Sequence, residues 1–185
     1  MHRSVKPCTF LSKTRVASIP ADTYSSLMHP DHLIDLRFRS PMIRERWEAF
    51  LRVEPVSNPL ANPDALVHLI PETLNQILEA LEKPSRAPVS IQAARAIVPD
   101  CDCGNNPYRA YFMAGEQALC ETLVLLQAES PPDKRQQADL AELIFAVRKL
   151  AKTDIDTFCS ACVHKGVAAK CRYHVCNERV APMAV

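Results

Sequence analysis

The chain has 185 residues, of which 48% are apolar and 23% charged, and its formal net charge is +1. That length suits one compact domain rather than two. The near-neutral balance argues against a general nucleic-acid binder, whose domain would be strongly basic. No run approaches the roughly 18 apolar residues needed to span a bilayer, so no membrane partner is expected.

The first twenty residues, "MHRSVKPCTFLSKTRVASIP", carry four basic side chains and no acid. They read as a basic tail, because Pro7, Pro20 and the lack of an amphipathic period fit neither a transit peptide nor a secretory signal. With no export signal, a reducing cytoplasmic location is expected, where structural disulfides are unusual. His29 and His32 flank Pro30 in an expected loop and read as solvated. The resulting division is a tail and loop over 1–35, a helical bundle over 36–157 and a cysteine-rich segment over 158–185 that continues the last helix.

Three helix starts share one grammar, a capping residue followed by proline: Ser40-Pro41, Asn62-Pro63 and Asn106-Pro107. The cap's side-chain oxygen accepts from an orphan N–H, and proline at the first helical position lacks a donor that would be unpaired anyway. Behind Pro41, Ile43, Trp47, Phe50 and Leu51 fall on one face, with Arg44 and Arg46 on the other. Behind Pro63 the helix runs to Pro71, which interrupts or restarts it. Leu74, Ile77, Leu78 and Leu81 then continue the period. His68, set between apolar residues, reads as a hydrogen-bonded core histidine.

The loop "EKPSRAPVS" and a shorter helical candidate at 89–97 follow. The helix opened by Pro107 has Tyr108, Tyr111, Phe112, Leu119, Leu123 and Leu126 as its inner stripe, with Cys120 as a small core residue. The last helix runs from Asp133 to a C-cap at Gly166, with Leu143, Ile144 and Val147 inward. Arg148, Lys149 and Lys152 read as a solvated face, and Thr153 before Asp154 predicts a kink. Nothing alternates with period two, and there are only three glycines, too few for many tight hairpins. The fold class is therefore all-α, a helical bundle with a cysteine-rich C-terminal appendix.

The stretch "IRERWEAFLRVEP", followed by "LVHLIPETLNQILEALE", resembles the helical N-terminal sensor domains of RsbR-type bacterial stress regulators. The likeness covers at most residues 41–127 and rests on apolar spacing plus Trp47. It implies a signalling or protein-interaction role and identifies no site residues.

Seven of the eight cysteines lie beyond residue 100. The segment "FCSACVHKGVAAKCRYHVC" holds Cys159 and Cys162, three apart and so on one helix face, then Cys171, His174 and Cys176. Tetrahedral zinc takes four thiolate or imidazole ligands, so Cys159, Cys162, Cys171 and Cys176 are the leading ligand set, with His174 the substitute. "CDCGNNP" holds a C-x-C pair, Cys101 and Cys103, of which Cys103 sits shortly before a helix N-terminus that favours a thiolate. A second partition therefore joins Cys101 and Cys103 to Cys159 and Cys162. The same thiolates would also suit an iron–sulfur cluster.

No phosphate-cradling loop, nucleophile elbow or H-E-x-x-H motif occurs, and no general base can be nominated beside the cysteines. The leading expectation is a non-enzymatic regulatory or partner-binding protein with a structural zinc site and a protein partner, its oligomeric state open. A thiol-based redox sensor using the same cysteines comes second. An iron–sulfur or metal carrier is the third class.

Overall fold

The computed structural model describes residues 28–54, 59–83, 89–99, 101, 106–132 and 137–161. These form seven α-helices in chain order: α1 (Pro30–Phe38), α2 (Ser40–Val53), α3 (Pro63–Leu66), α4 (Ile70–Glu82), α5 (Ile91–Ala96), α6 (Pro107–Glu129) and α7 (Gln137–Ala161). Short 3-10 turns at Pro59–Ala61 and Val67–Leu69 join α2 through α3 to α4. No strand occurs among the described residues, which are all-α as the periodicity predicts. No helix there is long and apolar enough to cross a membrane. The appendix beyond Ala161, with its expected cap at Gly166, lies outside the described residues.

The cap-and-proline grammar holds at two of its three sites. Asn62 Oδ1 accepts from Asp64 N at 3.0 Å, and Asn106 Oδ1 accepts from Tyr108 N at 2.9 Å. Ser40 is different, because only Arg39 separates it from the end of α1. Ser40 is already helical, and its hydroxyl donates to the Leu36 carbonyl at 3.3 Å rather than capping α2. Pro71 restarts the chain as expected, in the first turn of α4 after the 3-10 turn. The expected kink at Thr153 is absent: α7 runs unbroken, with the Thr153 hydroxyl donating back to the Lys149 carbonyl at 3.0 Å.

α6 is the central element and packs against α7, α2 and α1, while α4 closes against α7 and α2. Trp47, Leu74, Leu78, Leu119, Leu123, Leu143, Ile144 and Val147, all expected in the core, are buried. Each such side chain contributes about 1.5–3 kcal/mol when fully removed from water, so this apolar centre outweighs any surface ion pair. Trp47 also fixes the α2–α6 spacing. Its indole N–H donates to the Tyr111 carbonyl at 2.9 Å, and its ring lies against Gly115. A Cβ at Gly115 would stand 2.3 Å from Trp47 Cζ2, so only glycine permits this approach. The Tyr111 hydroxyl reaches Thr73 Oγ1 at 2.9 Å, which ties α6 to α4.

Three polar expectations need correction. His68 is exposed, on the outer side of its 3-10 turn, and not in the core. His29 and His32 do not lie in a solvated loop: His29 caps α1, accepting from Asp31 N at 3.3 Å, and His32 is 1% exposed. Arg148 is not a solvated cation either. Its guanidinium clamps Glu116 on α6, with Nε and Nη2 donating at 2.8 and 2.7 Å.

Candidate functional site

Arg148 also fixes the approach to the cysteines. Its Nη1 donates to the carbonyls of Arg95 and Ile97 at 3.2 and 3.5 Å, which hold the end of α5 and the residues after it against α7. The chain then reaches Cys101, which is 7% exposed. Its sulfur is bonded to that of Cys159 on the last turns of α7, 58 residues later, with the Cα atoms 6.8 Å apart. This pairing belongs to the partition that joins "CDC" to Cys159, rather than to the set confined to residues 159–176. Cys103, Cys162, Cys171, His174 and Cys176 lie outside the described residues. Among the described residues no three histidine, cysteine or carboxylate side chains are placed to hold a metal ion.

Asn106 links this thiol pair to the start of α6. While its carbonyl oxygen caps the helix, its amide nitrogen donates to the Ile155 carbonyl and to Cys159 Sγ, both at 3.4 Å. Asn106 is 6% exposed, so its two halves are held in opposite roles with little freedom to rotate. Phe158 meets Tyr108 edge to face with ring centroids 5.8 Å apart, closing the apolar side of the junction. Cys159 thus sits beside the positive end of a helix of 23 residues, next to an N–H donor. Both features place partial positive charge beside that sulfur.

Cys120 is a chemical contrast on the same helix. It lines a cavity of about 390 Å³ between α6 and α7, with Phe112, Val147 and the Glu116–Arg148 pair around it. Burial, reinforced by the Glu116 charge, pushes its thiol up to about 12. At neutral pH it is a protonated, unreactive packing residue, as its place on the helix predicts.

A second polar cluster lies at the other end of α7. Asp139, 0% exposed, accepts from the His29 backbone N–H at 3.0 Å, and its other oxygen is 2.6 Å from His32 Nδ1. A carboxylate can only accept, so Nδ1 carries the hydrogen. His32 Nε2 lies 3.2 Å from Ser130 Oγ. The order Ser–His–Asp is that of a nucleophilic triad, but the surroundings do not suit one. The Ser130 hydroxyl donates to the Leu126 carbonyl at 2.8 Å, and the next two residues, Pro131 and Pro132, have no N–H to stabilise an oxyanion. The cluster is a clasp that ties α1 to the ends of α6 and α7. Sequence reading missed it, although His29-Pro30 repeats the cap-and-proline grammar and could have flagged α1.

No protein-family model matches the chain, and no curated protein and no solved structure matches it.

Proposed function

We propose that this chain is a non-enzymatic helical regulatory protein whose sensing element is the Cys101–Cys159 thiol pair, acting as a redox sensor for a protein partner in the cytoplasm. One observation carries the reading: two sulfurs 58 residues apart in sequence are joined, beside an amide donor and a helix N-terminus. In a reducing compartment such a pair is open at rest and closes when oxidant rises. Closing it fastens the end of α7 to the segment before α6, and opening it releases them.

A partner-binding role has support from α1 and α2, where Ile34, Phe38 and Met42 lie at helical spacing and are 64%, 86% and 43% exposed. The resemblance to bacterial stress-sensor domains points the same way. Zinc is the competing reading, because C-x-C and C-x-x-C around the joined residues could supply four thiolates.

The test uses protein purified without metal-affinity steps. Thiol counting and peptide mapping, before and after mild oxidant, should show two thiols lost to a Cys101–Cys159 bond and recovered with reductant. Colourless protein with about one zinc per chain and no oxidant-sensitive thiols would replace the redox sensor with a structural metal site. A brown protein with charge-transfer absorption would replace it with an iron–sulfur protein.

A further inference from the structure

The cleft beside Cys120 and a second cleft between α4 and α7 differ in their charge. In the first, the Arg148 guanidinium is spent on Glu116 and on two backbone carbonyls. The second is a cavity of about 420 Å³ with Leu81, Phe145, Ala146 and Leu150 on its apolar floor and Lys83 and Lys149 on its walls. Its volume falls in the usual range for small-molecule sites, about 300–1,000 Å³. Both lysines are exposed, and among the described residues neither is paired with a carboxylate. The sequence after Lys83, "PSRAP", contains no acid.

The packing of the helices gathers both cations at one end of this cleft. Arg37 joins Glu82 at the end of α4, while Arg39 joins Glu129 at the end of α6. The end of α6 in turn meets the start of α7, where Ser130 and Asp139 share His32. α4 therefore runs antiparallel to α7, and Lys83 lies toward the N-terminal part of α7. Lys149 reaches the same end, because its side chain leans back one turn and sets Nζ 6.0 Å from the centroid of the Phe145 ring. Glu142 also stands there, with its Oε1 accepting from Val89 N at 3.3 Å. Two ammonium groups against one carboxylate leave this end with about one net positive charge. The rest of the cleft runs on to Thr153, and its α7 wall from Glu142 is about 16 Å long at 1.5 Å per residue.

We propose that this cleft binds an unbranched aliphatic monocarboxylate of medium chain length. Its carboxylate sits between Lys83 and Lys149, and its chain lies along the apolar floor toward Thr153. A single negative charge matches the single net positive charge of the cationic end, whereas a second anionic group would meet Glu142 or the apolar floor. The length of the cleft along two helices suits an extended chain better than a compact ring. The site is independent of the thiol pair, and an occupant would join α4 to α7 through contacts with both.

The experiment titrates the full-length chain with hexanoate, octanoate and decanoate below their micellar concentrations, using amide NMR shifts as the readout. Octanol and octylamine serve as neutral and cationic controls of the same length. Shifts are expected around Ala80, Leu81, Phe145 and Leu150. Affinity should rise about two- to fourfold for each added CH₂, the gain from burying one methylene wholly or in part. Octanoate should bind more tightly than octylamine. The Lys83→Gln/Lys149→Gln double variant should weaken octanoate about five- to tenfold while leaving octanol within about twofold, and the corresponding double Arg variant should retain octanoate binding. Ala80 is exposed and lines the cleft, so Ala80→Phe should fill it and weaken octanoate and octanol alike. All of these substitutions are at exposed positions, and unchanged urea midpoints would confirm that the variants are folded. Octylamine binding as tightly as octanoate, or octanoate unaffected by the Lys→Gln pair, overturns the assignment of the carboxylate to the lysines. Octanoate unaffected by Ala80→Phe places the chain elsewhere and overturns the site. The absence of shifts near Ala80 and Phe145 at millimolar octanoate overturns the proposal as a whole.

Discussion

At its N-terminal end α7 is held by Asp139, whose carboxylate takes hydrogen bonds from His29 and His32 and is closed off from water. Toward its C-terminal end it is held by Cys159, joined to Cys101 and touched by the Asn106 amide. Both fastenings tie α7 to a segment distant in sequence, and both lie beside a terminus of α6. Their chemistry differs in reversibility. The buried carboxylate and imidazole can separate only if two polar groups lose their partners in a dry site. A sulfur–sulfur bond can open by exchange of two electrons. On the redox reading proposed above, α7 has one fixed end and one switchable end, and regulation would act at the second.

The largest test of that contrast removes the fixed end. Asp139→Ala should lower stability by about 3–5 kcal/mol, because it leaves two donors in a buried site without an acceptor, at about 1–3 kcal/mol each. The His29 N–H and His32 Nδ1 both lose their acceptor, and the cap of α1 loses its support. Urea unfolding of the reduced chain measures this. A loss below about 1 kcal/mol would mean that water replaces the carboxylate, and that the clasp is not the dry site its burial indicates.

Removing the switchable end should cost less. A bond closing a loop of 58 residues restricts the unfolded chain, and its reduction should lower stability by about 2–4 kcal/mol. Asp139 and Cys159 are twenty residues apart on one helix, or about 30 Å at 1.5 Å per residue. Losses from Asp139→Ala and from reduction should therefore add to within about 0.5 kcal/mol. Marked non-additivity, read from denaturant midpoints with and without reductant, would show α7 responding as one unit and would erase the distinction between its ends.

Asn106→Ala comes next, at about 1 kcal/mol for the lost cap, with thermal or urea unfolding as the measure. Its cost should be the same in the oxidised and reduced chains if capping dominates. A cost present only in the reduced chain would show that the bond to Cys159 matters more than the cap.

How far the two ends could be read from the sequence follows from the range of the forces that build them. The Asn106 cap is local: an acceptor side chain, a proline and a helical stripe lie within a few residues, so the spacing suffices. The same is true of the core, where Leu119, Leu123, Leu143 and Val147 repeat at helical intervals and are buried. The clasp is not local, since His32 and Asp139 are separated by 107 positions and nothing near either names the other. A histidine beside a proline also looks like loop chemistry until the helix behind it is seen. The cysteines fall between these cases. Their clustering marks Cys101 and Cys159 as chemically important, but the six clustered cysteines allow about fifteen pairings, and sequence spacing does not select among them. Gly115 shows a further limit: a glycine inside a helix looks like a weakness until the Trp47 ring above it gives the reason.

The smallest expected effect concerns an ion pair at the fixed end that its packing does not enclose. Arg39, at the junction of α1 and α2, pairs with Glu129 at the end of α6, and the two side chains are 28% and 61% exposed. On paper this bridge ties the same elements as the clasp. In water the attraction is screened, and holding two long side chains in one geometry opposes it, so exposed pairs contribute about 0–1 kcal/mol. Arg39→Ala should therefore shift stability by about 0.5 kcal/mol or less in low salt, and the shift should shrink further in high salt. A loss of more than about 2 kcal/mol, insensitive to salt, would mean that Arg39 works through packing of its aliphatic stem against α6. The fixed end would then depend on a broader contact than the enclosed carboxylate, and Asp139→Ala should in turn cost less than the buried pair implies.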